Sequence, residues 1–453
     1  MRSITLGSLA LVISLASCTR TESIPMASPS AEPAVGVAET HSFRSAGPQS
    51  YTPEAKLKGR DRAVRQLWST TIGRTDHRST MAFAGGAIYV GTKGGKGSSP
   101  GVHVIDGATG ARRALLPAAR GEVIGVALDG DRVVSTSAAG EVAATTKAGR
   151  IVFRADLGAP LVTPPTLVDV DGELDVVVGD ARGRVSLLDG RTGKTRWTRA
   201  ASPAGEVRAS IGAGLAAADL DRDGATEILA GTEGGRLVAL RGRTGEVAWQ
   251  IERSSALRAA PVIVDLDADG QVEVIAAWAD GDVAILDGRG GRTLWEAHVE
   301  EDDGDPTGLL ASPAPVPGGT LLVPTARWGK EDSVVMLRAH DRAYRSKQGS
   351  VVSSPVLGTI ASGSKVIDAV VGTTLGDVVA FDGAGRMSFL YHVHGAIEAP
   401  LLIADIEGNG LQELLVATRE GRLYALGIHA PTPPLLGHAR GNSLRNDGLL
   451  PPV

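Results

Sequence analysis

Three 23-residue segments of the chain align without a gap, and each ends in tryptophan: Asp175–Trp197, Glu227–Trp249 and Glu273–Trp295. Weaker copies begin near Ala87, Asp131, Thr320, Asp368 and Glu413, so eight starts follow one another at intervals of 44, 44, 52, 46, 47, 48 and 45 residues. This recurrence constrains the fold more than any other feature, because each copy must make the same small unit and bury it against its neighbours. In the central copy, an apolar run from Leu215 ends in Asp219, Asp221, Asp223 and Glu227, and short apolar runs follow at Ile228–Ala230, Leu237–Leu240 and Val247–Trp249. Each run is too short for a helix, and Gly234-Gly235, Gly242 and Gly245 stand where tight turns need φ > 0. The unit is a four-stranded antiparallel sheet. A period in the forties with four strands per repeat is the pattern of a β-propeller blade.

The two chain ends supply one blade between them. Val64–Ile72 reads as a fourth strand, tryptophan included, with no first three strands before it. The last copy runs through three strands from Glu413 to Leu426 and then meets Pro431, Pro433 and Pro434. Pairing them hides the last open edge of the ring. The expectation is an all-β, eight-bladed β-propeller of four-stranded antiparallel blades over residues 62–453, closed by an N-terminal strand. Seven blades is the alternative, because the copies near Asp131 and Thr320 are degenerate. Aromatic residues make up only 4 % of the chain, so the core must come from Val, Leu, Ile and Ala.

The start of the chain reads as an export signal over residues 1–17. Arg2 is its one charge, and the mostly apolar Ile4–Ala16 is shorter than the roughly 20 residues of a spanning helix. Leu15-Ala16-Ser17-Cys18 resembles the lipobox of bacterial lipoproteins. That resemblance implies cleavage before Cys18 and lipidation of its thiol; with Thr19 next, it implies the outer membrane if the cell is Gram-negative. Cys18 is the only cysteine, so no disulfide is expected. Residues 18–61 are rich in Ser, Pro, Ala and Thr without periodicity and read as a disordered tether, and the basic run Lys56 to Arg62 across its end reads as a solvated linker. Past the signal the chain holds 45 basic and 51 acidic side chains, net −6, which argues against a nucleic-acid partner.

The strongest candidates for chemistry are carboxylate loops. Asp219-Leu-Asp221-Arg-Asp223-Gly224-Ala-Thr-Glu227 and Asp265-Leu-Asp267-Ala-Asp269-Gly270-Gln-Val-Glu273 share one pattern. Side-chain oxygens at positions 1, 3, 5 and 9, a carbonyl at 7 and a glycine at 6 could wrap one hard cation, and calcium takes six to eight such oxygens. Four carboxylates in one loop repel one another unless something neutralises them. An EF-hand is excluded, because Ala230 and Ala276 stand where it needs glutamate. Asp405-Ile-Glu407-Gly-Asn409-Gly-Leu-Gln-Glu413 is a variant with an amide, and Asp169-Val-Asp171-Gly-Glu173-Leu-Asp175 is two residues shorter. The bland alternative is that Asp and Gly simply make Asx turns. These loops resemble those of FG-GAP and VCBS-type propeller repeats, and the resemblance implies structural calcium.

The turns at Asp106-Gly107, Asp189-Gly190 and Arg241-Gly242 resemble the pyrroloquinoline-quinone-type repeat. The motif is architectural there, which implies that Trp197, Trp249 and Trp295 dock between blades. No quinone cofactor is expected, because quinoprotein pockets often carry a vicinal disulfide that one cysteine cannot form. The tail from Gly437 to Gly448 resembles an irregular strap found beside quinoprotein-like propellers. His392-Val-His394 sets two imidazoles on one strand face with no third ligand in view, and Glu300 to Asp305 reads as a solvated acidic connection. No Ser-His-Asp order, phosphate-cradling loop or zinc spacing occurs.

An inventory made almost wholly of architectural residues points to a non-enzymatic binding or scaffold lipoprotein of the cell envelope, with a protein or glycan partner and a lipid anchor in the membrane. In plan it resembles the propeller lipoproteins of outer-membrane barrel assembly, which lack such acidic loops. An enzyme acting on extracellular polysaccharide, a lyase or hydrolase, is the alternative; charged side chains converging on one mouth of the channel would favour it. A quinone-dependent oxidoreductase is the weaker one.

Overall fold

The structure is a computed structural model that describes residues 54–55, 64–95, 97–212, 214–299, 308–316, 319–326, 334–338, 341–346, 349–360, 367–382, 385–430 and 450. Cys18, the signal segment, the acidic connection at 300–305 and the tail at 437–448 lie outside the described residues. So does the tether, apart from Glu54 and Ala55.

Eight antiparallel sheets make the ring. Seven consist of four strands in chain order: blade 1 over residues 81–116, blade 2 over 123–156, blade 3 over 166–200, blade 4 over 216–252, blade 5 over 262–298, blade 6 over 314–346 and blade 7 over 356–392. Blade 8 joins residues 402–430 to the N-terminal strand Val64–Thr71. The degenerate copies near Asp131 and Thr320 are complete blades, which removes the seven-blade alternative. Among the described residues no helix is long and apolar enough to cross a membrane.

Sequence explains where each strand sits. The second strand of blade 4, Glu227–Gly231, is buried at every residue, while the fourth, Val247–Glu252, buries Trp249 alone. A middle strand is covered on both faces by neighbouring blades, so it reads as a continuous apolar run; an outer strand alternates. Between blades, the recurring contacts link first strands to first strands, which places those strands innermost around the axis. They are short and mostly apolar: Ala216–Ala218, Val262–Val264, Ala314–Val316, Val356–Gly358 and Leu402–Ala404.

Tryptophan joins the blades. Trp197 Nε1 donates to the carbonyl of Gly242 in the next blade at 2.8 Å, Trp249 to Gly288 at 2.8 Å and Trp68 to Gly107 at 2.8 Å. The ring of Trp197 lies on Gly245, whose φ of 70° suits glycine and where a Cβ would come within 2.8 Å of the indole. Phe153 of blade 2 lies against Gly193 of blade 3 in the same way, without the hydrogen bond. Trp197 and Trp249 therefore dock between blades as expected. Trp295 packs half-buried against the core between blades 5 and 6.

Ring closure follows the expected pairing. Val64–Thr71 runs antiparallel to Arg422–Ala430, with Trp68 opposite Ala425 and Ser69 opposite Tyr424. Ile72 N–H then donates to the Gly421 carbonyl at 2.8 Å. Glu54 and Ala55 add a short fifth strand outside this one, opposite Arg65 and Val64, where the sequence offered no strand signal. At the other end, buried Leu450 donates its N–H to the Ile263 carbonyl on the first strand of blade 5.

Candidate metal centre

Each long carboxylate loop joins the first strand of its blade to the second: Ala216–Ala218 to Glu227–Gly231, Val262–Val264 to Glu273–Ala277, and Leu402–Ala404 to Gln412–Ala417. One hydrogen-bond scheme recurs. The position-9 glutamate closes the loop by accepting the N–H of position 2: Leu220 to Glu227 at 3.0 Å, Leu266 to Glu273 at 2.9 Å and Ile406 to Glu413 at 2.9 Å. Glycine at position 6 donates to position 1: Gly224 to Asp219 at 2.9 Å, Gly270 to Asp265 at 2.8 Å and Gly410 to Asp405 at 2.9 Å. The position-5 oxygen accepts from position 7, at 2.8 Å for Asp223, 2.6 Å for Asp269 and 2.8 Å for Asn409. Asx turns are therefore present, but they use only part of the carboxylate oxygens.

Three of the four candidate side chains in each full loop come together; Asp223 and Glu273 stand outside these groups, and Asp405, Glu407 and Glu413 of blade 8 form none. One oxygen each from Asp219, Asp221 and Glu227 lies within 4.8 Å of the others, and the same holds for Asp265, Asp267 and Asp269. Oxygens bound 2.3–2.6 Å from a common calcium ion stand at most about 5 Å apart, so these spans fit one such ion. Glu227 is 1 % exposed, and its Oε1 is buried with no partner; Asp265 Oδ1 is likewise buried and unpartnered. Such oxygens cost free energy unless a cation or proton meets them. Burial, reinforced by the neighbouring carboxylates, raises Glu227, Glu273 and Glu413 to about 7.

The backbone also conforms to this geometry. Arg222 and Ala268, both at position 4, have φ of 64° and 57° and are the only described residues other than glycine with positive φ; blade 8 has Gly408 there, at 70°. A side chain in this region costs about 1–2 kcal/mol. The blade-8 loop differs in its side chains. Its Asn409 amide donates to Glu407 at 2.8 Å, so the protein itself partners one of its carboxylates.

Blade 3 shows what happens when a cation is already present. Its loop is two residues shorter, and the Arg196 guanidinium bridges Asp171 and buried Asp175. Arg243 adds a contact to Asp171 at 3.4 Å, and Arg191 pairs with Glu173 at 3.0 Å. The Asp169 segment is thus neutralised from within. Arg196 directly precedes the docking Trp197; the residues preceding Trp249, Trp295 and Trp68 are Ala248, Leu294 and Leu67. Among the described residues, no arginine pairs with the loop carboxylates of blade 5 or blade 8 in this way. In blade 4, Arg241 reaches the loop rim, 3.7 Å from Asp223 and 4.0 Å from Asp221.

The two histidines do not share a strand face. His392 ends the strand Met387–His392, with Nδ1 2.9 Å from Asp377 Oδ1. His394 lies beyond the strand end, where its carbonyl accepts from the Tyr424 hydroxyl at 3.1 Å.

Comparison with known proteins adds a family signal. Residues 98–277 match the family model described as outer membrane protein assembly factor BamB. The curated outer membrane protein assembly factor BamB of Burkholderia pseudomallei is 28% identical over 213 residues, 44% of this chain and 52% of that protein. The chain thus spans about half the length of that relative. Among solved structures, BamB from Moraxella catarrhalis is similar with a TM-score of 0.57 and 18% identity, over 80% of this chain and 97% of that one. Quinohemoprotein alcohol dehydrogenase from Comamonas testosteroni is similar with a TM-score of 0.58 and 17% identity, over 82% of this chain and 77% of that one. At these identities the two structures share the fold.

Proposed function

We propose that this chain is a non-enzymatic scaffold of the cell envelope, with a protein partner in outer-membrane assembly and with calcium stiffening its blades. The observation that carries the scaffold reading is the BamB match over residues 98–277, which runs through docking Trp197 and Trp249 and both full acidic loops. The innermost strands support binding over catalysis, because side chains such as those of Ala216–Ala218 and Val262–Val264 are small and apolar. Buried, unpartnered Glu227 Oε1 supports the calcium reading. When bound, calcium would supply charge neutralisation and a rigid link between the first and second strands. Asp219, Asp221, Asp223 and Glu227 would hold it in blade 4, and Asp265, Asp267, Asp269 and Glu273 in blade 5. Asp405, Glu407, Asn409 and Glu413 would make a weaker site in blade 8. The anchor is proposed at Cys18, in the outer membrane if the cell is Gram-negative.

Crosslinked pull-down from envelopes, with the chain expressed in its own host, tests the scaffold reading. Recovery of outer-membrane assembly proteins is the expected result. Turnover of an envelope polysaccharide by the purified chain, with no protein partner recovered, would replace the scaffold with an enzyme.

A further inference from the structure

Arg222 stands between two candidate ligands, Asp221 and Asp223, yet its guanidinium reaches the neighbouring blade. Its Nη2 lies against Gly270 of the blade-5 loop, 2.0 Å from where a Cβ would sit. A Cβ there would push the guanidinium aside, and the φ of 81° suits glycine. Gly270 N–H holds Asp265 Oδ2 at 2.8 Å, and Asp265 Oδ1 is the buried oxygen without a partner. The positive charge therefore rests on the rim of the second acidic cluster. Ala268 occupies the corresponding position in blade 5 and Gly408 in blade 8, so neither of those loops can extend such an arm.

We propose that Arg222 sets the cation affinity of the blade-5 loop and couples that loop to its blade-4 neighbour. This rests on the reading of the loops as cation sites, for which buried Glu227 Oε1 in the blade-4 cluster is the evidence apart from loop geometry. Blade 3 is the precedent within the same molecule, since Arg196 between Asp171 and Asp175 fills a cation's role entirely. Arg222 acts from farther off, with its guanidinium beside Gly270 and, among the described residues, no ion pair to the blade-5 carboxylates. Its charge relieves repulsion among the blade-5 carboxylates and opposes an arriving divalent ion. A cation held by Asp221 and Asp223 fixes the backbone of the residue between them, and so keeps the arm in place. Filling the blade-4 loop therefore weakens the blade-5 loop, and by linkage the effect is reciprocal.

The test is calorimetric titration of the full chain with calcium, the blade-8 loop being disabled by Asp405→Asn and Glu413→Gln. The blade-5 step is the one that Asp267→Asn abolishes. Arg222→Asn removes the charge while asparagine tolerates the left-handed backbone, and it should strengthen that step about tenfold. Arg222→Lys should leave it near the parent value. Glu227→Gln should strengthen the blade-5 step in the parent but not in the Arg222→Asn background. Arg222→Gly, which drops the charge with no backbone strain, should behave as Arg222→Asn does. Calcium uptake with no shift in either uncharged variant overturns the coupling alone. No uptake by the parent overturns the cation reading and the coupling with it.

Discussion

Replacing Glu227 by glutamine gives opposite results with and without calcium, and the structure sets the size of the effect. Burial and the neighbouring Asp221, Asp223 and Asp219 raise this carboxyl from 4.5 to about 7. A group whose folded value is raised adds stability fully present below the unfolded value and lost as pH rises through the folded one. At pH 8 the native carboxylate is ionised, and that loss amounts to about 3 kcal/mol. Glutamine is neutral throughout. Its carbonyl can keep the bond from Leu220 N–H, and its amide can donate toward Asp219 and Asp221. In chelator at pH 8, Glu227→Gln should therefore melt higher than the parent, by about 4 °C for a chain of this size. In millimolar calcium the order should reverse, because the parent gains a bound ion that the variant holds poorly. Thermal melts of both proteins in both buffers decide it. A variant that melts lower than the parent in chelator, or that gains as much from calcium, would refute the reasoning.

The parent alone should show the same linkage: in chelator its melting temperature should fall between pH 5 and pH 8 as Glu227, Glu273 and Glu413 lose native-state protons, and calcium should flatten that fall. Melts across pH in the two buffers check this, and a flat profile in chelator would contradict it. Trp197→Ala removes a side chain only 7 % exposed together with its bond to Gly242, so urea unfolding should show a loss of about 3–5 kcal/mol. A loss under about 1 kcal/mol would mean that the indole does not join blades 3 and 4.

Much of the fold was legible in the sequence because repetition multiplies a weak signal. No single run such as Ile228–Ala230 specifies a strand, but recurrence over eight copies fixes strand number and turn position, and a tryptophan marks the fourth strand in four of them. Ring closure was legible for a similar reason: Trp68 marks a fourth strand that lacks its first three. The two-residue strand at Glu54–Ala55 was not, since two residues carry no period. The acidic loops were legible as clusters of carboxylates, but spacing alone did not say which three would converge: Asp219, Asp221 and Glu227 in one loop, Asp265, Asp267 and Asp269 in the other. What spacing could not convey was the occupant of the Asp169 loop. Arg196 lies 21 residues beyond Asp175, and only the register between Leu187 and Trp197 brings the guanidinium to it. An arginine in place of an apolar residue just before the docking tryptophan was the available signal. His392 and His394 were placed on one strand face because alternation was assumed to continue past His392, where the strand ends.

The central claim is that the acidic loops clasp divalent cations that stiffen the ring. Calcium titration of chelated, full-length protein, followed by calorimetry, tests it most directly. The account predicts two bound ions per chain from the loops of blades 4 and 5, a weaker third from blade 8, and proton release on binding at neutral pH. A chain that takes up no calcium at millimolar concentration, and whose melting temperature does not move, would contradict it.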